Sequence, residues 1–216
     1  MQLTRSMRSA LAVGAAAAVL CAGTGAATAA APVHPAAAPI GHPAAPAPAT
    51  AHSSPNGPLR PLAALSAERL ATGDLVAAAK WGTDSPIDDP AREREVLNTV
   101  ADQARQLGAD PGVTVRVFRD QIEANKDVQR GLHRRWDANP GQAPTERPDL
   151  QEVRKEINRV NGALVRALAG SARARSAPSC AARLAAAAVR VRQERHLDGL
   201  HTAALARSLR SVCAES

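Results

Sequence analysis

Apolar residues in this chain return every three or four positions, and nowhere do they alternate with polar ones long enough to make a strand. That period belongs to the helix, whose neighbouring side chains on one face lie three and four positions apart. The chain also lacks the bulky material that sheets prefer, with one Phe, two Trp and no Tyr among 216 residues. The expectation is an all-α fold: a single helical domain of about six helices. Four of them form a core enclosing a site, and a C-terminal helix pair completes the domain.

Helix punctuation sets the segments. The first helix is expected from about Pro61 to Lys80, with Leu62, Leu65 and Ala79 turned inward. Asp89 before Pro90 is a capping carboxylate followed by proline at the first helical position, which starts a second helix running to about Leu107. The third spans about Val113 to Asp137. Asp149 with Glu152 has the spacing of a capping box and opens the fourth, which ends near Gly170. A fifth is expected over about Cys180 to Arg195 and a sixth over about Asp198 to Cys213.

The N-terminal quarter has a different character. "MQLTRSMR" is cationic, "SALAVGAAAAVLCAG" is a short apolar run, and "TGAATAAAP" supplies small residues, the layout of an export signal over residues 1–30. Residues 31–58 are mostly Ala and Pro, with His, Ser and Gly and no charge, which reads as a disordered linker. The folded domain is then 59–216. His34, His42 and His52 fall in the linker at irregular spacing, so no metal site is expected. Removal of Arg5 and Arg8 with the signal takes the net charge of +7 to +5. The remaining arginines are scattered, and three aromatic rings are poor equipment for stacking bases, so nucleic acid is not an expected partner. No membrane contact is expected after signal cleavage. Export makes a Cys180–Cys213 disulfide the default pairing, tying the start of the fifth helix to the end of the sixth.

Polar groups interrupt the apolar stripes. Arg69 and Lys80 are almost three turns apart on one face of the first helix. Arg92 precedes Val96 and Val100 by one and two turns. On the third helix Phe118, Ile122, Leu132 and Trp136 share a stripe with two amides, Asn125 and Gln129. On the fourth, Arg154 and Asn161 lie between Leu150, Ile157, Leu164 and Leu168 at helical spacing. A buried cation needs a counter-charge, and Asp89 and Glu93 are too few to supply it. Either the cations snorkel outward along their methylenes, or an anionic ligand provides the missing charge. The pattern leaves both open, as it leaves open that Asn125 and Asn161 bridge helices or that Arg154 pairs with Asp149 or Glu152.

The segments "ERLATGDLVAAAKW", "SPIDDPARE", "DQIEANKDVQ" and "APTERPDLQEVRKEINRVNGALV" resemble the all-helical chorismate mutases of the AroQ type. The C-terminal "CAARL", "RHLDGL" and final Cys resemble the exported gamma subclass. The resemblance covers about Leu62 to Cys213. It implies an isomerase that rearranges chorismate to prephenate within one molecule, with no nucleophile, metal or cofactor. It further implies that Arg69 and Arg154 clamp the substrate carboxylates, that Lys80 and Gln129 donate to the ether oxygen, and that Arg92 helps hold a carboxylate. Asp89 and Glu93 would receive the hydroxyl, and Asn125 would touch a carboxylate where relatives carry Ser or Thr. The site would form within a single chain, and the protein would be a homodimer. One departure stands out: some relatives carry Glu where this chain has Gln129. A contrasting reading is a catalytically inactive exported helical binding protein.

Overall fold

The computed structural model describes residues 57–213. The expected export signal and all but the last two residues of the expected linker lie outside the described residues. Those last two, Gly57 and Pro58, enter a 3-10 turn, Gly57–Leu59, which leads into α1, Arg60–Lys80. Then come α2, Pro90–Gln106; α3, Pro111–Ala138; α4, Leu150–Gly170; α5, Ala172–Arg175; α6, Cys180–Glu194; and α7, Gly199–Ser208. A second 3-10 turn, Pro140–Gln142, follows α3. Among the described residues there is no strand.

Side-chain caps set the starts of four helices. Asp89 Oδ1 accepts from Arg92 N at 3.0 Å and opens α2. Asp110 Oδ1 accepts from Gly112 N at 2.7 Å and Val113 N at 3.2 Å, so α3 begins at Pro111, two residues before the expected Val113. Asp110–Pro111 repeats the cap-and-proline signal of Asp89–Pro90. Asp149 Oδ1 accepts from Gln151 N at 2.7 Å. The reciprocal half of that expected box does not form, because Glu152 accepts from Lys155 instead. Asp198 Oδ1 accepts from His201 N at 2.9 Å and opens α7. α7 stops at Ser208, short of the expected Cys213, and the last residues run on as turns.

α1 is the axis of the bundle. It packs against α3, α4, α6 and α7, and only Pro61, Ala71 and Leu75 along it are exposed. Burial all round leaves α1 no polar face, which is why Ala and Gly fill so many of its positions. α2 lies across α3 and α4. The expected Cys180–Cys213 disulfide is present. The helices it ties rest chiefly on the core, α6 on α1 and α7 on α3 and α1, and touch each other less. Closing a loop of 33 residues contributes about 3–4 kcal/mol in the chain-entropy treatment. Phe118, Leu62, Leu70, Leu164 and Leu205 are fully buried in the shared core.

His201 joins α7 to α1. Its Nε2 meets Asp74 Oδ1 at 2.9 Å and its Nδ1 meets Asp198 Oδ1 at 2.7 Å, so both ring nitrogens donate and the ring is cationic. The hydrogen bond to Asp74, helped by that to Asp198 and opposed by burial, raises its pKa to about 9. A proton held more tightly folded than unfolded stabilises fully below the unfolded pKa and is lost as pH rises through the folded one. The melting temperature followed by circular dichroism should therefore fall between pH 6.5 and about 9. In His201→Gln the fall over that window should be absent.

Candidate active site

A cavity of about 690 Å³, counted out to its open mouth, lies between α1, α2, α3, α4 and the segment joining α1 to α2. All eight residues expected at a site line it: Arg69, Lys80, Asp89, Arg92, Glu93, Asn125, Gln129 and Arg154. Lys126 joins them. Val76, Ile87, Val96, Ile122, Leu150 and Ile157 supply apolar wall. Val96, expected in the core, is half-buried because it faces this space. Five cations against two carboxylates give the lining a net charge of +3.

Arg69 is the most deeply held of the cations, with 5% of its surface exposed. Its Nε donates to Asn161 Oδ1 at 2.9 Å and its Nη1 to the Gln121 carbonyl at 2.8 Å. Gln121 is itself fixed, its Nε2 donating to Ser66 Oγ at 2.7 Å and the Ser208 carbonyl at 3.1 Å. Nη2 has no partner among the described residues. No carboxylate pairs with Arg69 there, and burial lowers its pKa to about 10. Asn161 thus bridges α4 to α1, the structural role left open for it.

Lys80 ends α1 with its Nζ donating to the Pro86 carbonyl at 2.7 Å. Burial lowers its pKa, Asp89, Asp88 and Glu93 oppose that, and Arg154 adds to it. Arg154 makes no hydrogen bond or ion pair among the described residues. Asp149 and Glu152, which it had been free to choose, are engaged with the backbone and with Lys155. Arg92, half-buried in the lining, is held by neighbours: Nη1 meets Glu95 Oε2 at 2.6 Å and Nη2 reaches Asn158 Oδ1 at 3.5 Å.

Lys126 was not among the expected site residues. It stands one turn after Ile122 and three residues before Gln129, on the very stripe that carries Asn125, and that spacing was the signal for it. Its Nζ meets Asp88 and Glu93 at 3.1 Å each and also Glu123. Burial opposes its charge, but the hydrogen bonds to Glu123, Glu93 and Asp88 outweigh it and raise the pKa. Arg130 holds both oxygens of Asp88 at 2.7 Å. The start of the same segment is pinned by Trp81, whose ring stands edge-on to Trp136 and His133, both at 5.3 Å. The cavity mouth is therefore tied to α3 at both ends.

The amides form a chain. Asn125 Nδ2 donates to the Arg69 carbonyl at 3.1 Å, and Asn125 Oδ1 accepts from Gln129 Nε2 at 2.9 Å. Gln129 is 4% exposed, and its Oε1 is buried with no partner. Gln121 Oε1 is in the same condition, but of the two only Gln129 lines the cavity. Among the described residues, no group of three or more His, Cys, Asp or Glu is placed to hold a metal ion. What the site offers is fixed positive charge and amide groups around an apolar wall, suited to a small dianion.

Residues 60–130 match the family described as chorismate mutase type II. The chain is 37% identical over 176 residues to the secreted chorismate mutase of Mycobacterium tuberculosis, covering 82% of this chain and 85% of that protein. It is 36% identical over 156 residues to the secreted chorismate mutase of Mycolicibacterium smegmatis, covering 72% and 86%. Among solved structures, the chorismate mutase from Burkholderia phymatum superposes with a TM-score of 0.70 at 34% identity, covering 74% of this chain and 98% of that one. The secreted chorismate mutase from Yersinia pestis shares the fold, with a TM-score of 0.58 at 22% identity over 70% of this chain and 94% of that one.

Lys126→Met should cost about 1–2 kcal/mol in urea unfolding at neutral pH, between the values typical of exposed and of buried pairs. The cost should shrink in acid as Asp88, whose carboxyl the hydrogen bonds from Arg130 and Lys126 hold below its ordinary value, takes up its proton.

Proposed function

The chain belongs to the type II chorismate mutase family, isomerases that convert chorismate to prephenate, and we propose that the cavity between α1, α2, α3 and α4 performs this step by clamping and electrostatic stabilisation. Chorismate carries two carboxylates, a hydroxyl and an ether oxygen. One C–O bond breaks as one C–C bond forms, and no proton leaves the molecule. The protein has two tasks: to hold the reactive chair-like shape, and to aim donors at the ether oxygen as charge grows there. The observation that carries this reading is Arg69, a buried guanidinium with no carboxylate beside it among the described residues, in a lining of net charge +3.

In this scheme Nη2 of Arg69 and the guanidinium of Arg154 take the carboxylates. Arg69 engages through its free end, since Nε and Nη1 are spent on Asn161 and Gln121. Arg92 joins them by leaving Glu95. Lys80, already held by the Pro86 carbonyl, faces the ether oxygen together with Gln129 Nε2, whose second N–H gives up its long 3.4 Å contact to the Asn125 carbonyl. Asp89 and Glu93 receive the hydroxyl, with Glu93 oriented by Lys126. Asn125, expected to touch a carboxylate, has a protein partner at each end of its amide.

The protein is exported, a reading supported by two relatives whose names call them secreted. With it go residues 1–30 as the signal, 31–58 as the linker and 59–216 as the catalytic domain. The resemblance alone supports a homodimer with the site complete in each chain.

The deciding assay mixes the purified protein with chorismate and follows the loss of its absorbance. Lys80→Ala and Arg154→Ala should each cut turnover by about two orders of magnitude or more, the scale of losing one transition-state donor, while circular dichroism stays helical. Activity surviving in both would remove the assignment of the site. A neutral amide donates at any pH, so the parent's rate should be nearly flat across neutrality. Gln129→Glu donates only when protonated and should confine activity to acid; a variant equally active at pH 8 would take Gln129 away from the ether oxygen.

A further inference from the structure

We propose that Asn125 is a positioning residue for Gln129, fixing which way round the Gln129 amide faces the cavity, and that Gly73 exists as glycine to let it do so. The inference rests on the chorismate mutase reading and changes the part that Asn125 plays in it.

The hydrogen-bond chain begins at an atom whose role cannot change. A backbone carbonyl only accepts. The Arg69 carbonyl takes the Thr72 hydroxyl at 2.6 Å and the Asn125 side chain at 3.1 Å. The group that Asn125 turns toward α1 must therefore be its NH2. Its Oδ1 is then committed to the other side, where it meets Gln129 at 2.9 Å. That contact is favourable only if Gln129 answers with Nε2; turned over, it would set oxygen against oxygen. One carbonyl on α1 thus settles two amide orientations on α3, one turn apart. Oε1 of Gln129 is left buried with no protein partner, and Nε2 has beside Asn125 Oδ1 only a long contact of 3.4 Å to the Asn125 carbonyl, which a ligand acceptor can displace.

Room for this chain comes from α1. A Cβ at Gly73 would stand 3.0 Å from Asn125 Nδ2 and 3.3 Å from its Cγ. Those separations are tighter than side chains ordinarily keep, so an alanine there would make the Asn125 amide give by a few tenths of an ångström, away from the place that its bond to the Arg69 carbonyl requires. Gly73 has an ordinary helical backbone, and its lack of a side chain is what the site uses. A donor whose direction is set before the substrate arrives need not reorganise as charge develops on the ether oxygen.

A double-mutant cycle separates this role from direct contact with a carboxylate. Asn125→Ala should lower kcat about tenfold and change KM less than twofold, on the scale of a donor misdirected but still present. In the Gln129→Ala background the same change should alter kcat less than twofold, because nothing remains to be positioned. Gly73→Ala should reproduce the kcat loss and should not add to Asn125→Ala. An Asn125→Ala that raises KM by the same factor in both backgrounds binds substrate directly and overturns the proposal. A parent protein that leaves chorismate unchanged sinks the functional reading instead. The amide chain is then read from Gln129 side-chain protons in nitrogen-15 spectra of the full chain. They should be protected from exchange in the parent and lose that protection in Asn125→Ala; equal protection in both overturns the proposal.

Discussion

A guanidinium buried with only neutral partners holds this structure together at its centre. Arg69 takes Asn161 from α4 and the Gln121 carbonyl from α3, and Gln121 in turn takes Ser66 from α1 and the Ser208 carbonyl at the end of α7. Four helices meet through one polar cluster. A buried cation left without a counter-charge costs stability, and the lowered pKa of Arg69 reflects that cost. Neutral hydrogen bonds fix where the charge points and leave its field unspent. A carboxylate in place of Asn161 or Gln121 would relieve the cost and cancel the field that a dianion needs. In the proposed mechanism the bundle carries a local penalty that binding relieves, the usual relation between a preorganised site and its scaffold.

The sequence made much of this legible, for definite reasons. Helix period, proline position and aspartate caps are local, so α1, α2 and α4 begin within a residue of expectation. Arg69, Lys80, Arg92, Asn125, Gln129 and Arg154 were legible because each interrupts a run of carbon at helical spacing, Asp89 and Glu93 came with the family resemblance, and all eight line one cavity. The same logic missed Lys126, since a lysine flanked by Asn125 and Asp127 looks like part of a solvated charge run. Only the fold shows that Asp88, from the segment before α2, arrives to share it. Gln121 was missed for a related reason: it faces Ser66 and Ser208, whose nearness is tertiary. α1 was read as a one-faced helix, whereas neighbours surround it, because Ala and Gly carry too little contrast to reveal burial on every side.

The two sides of the cavity handle charge in opposite ways. At the mouth, Asp88, Glu93 and Glu123 converge on Lys126, and Arg130 adds to Asp88, so the charges there are largely spent on one another. Arg69 and Arg154 have no such partners among the described residues, and Lys80 is held by a carbonyl. Ion pairs thus fix the side around Lys126, and Arg69 and Arg154 keep their charge unpaired among the described residues. Arg92 stands between the two regimes. Its Nη1 is held by Glu95, so turning that nitrogen to a ligand requires giving that bond up. The exchange is close to balanced, because Glu95 is an exposed partner and such pairs are worth on the order of 1 kcal/mol or less.

In the proposed mechanism, Gln129 shows the consequence of leaving catalysis to groups that do not titrate near neutrality. A carboxyl group in its place would have to be held protonated by burial, against cations that favour its ionised form. The lining here is strongly cationic, so a protonated acid would be hardest to keep where the substrate needs most positive charge. An amide escapes that conflict, but it loses the self-correction of a carboxyl group, which can donate from either oxygen. An amide can face the wrong way. The Arg69 carbonyl, reached through Asn125 across the gap left by Gly73, resolves that ambiguity with an acceptor that never changes. The same residue therefore supplies a buried cation with its side chain and amide direction with its backbone, which makes its place on α1 the coordinate from which both halves of the site are set.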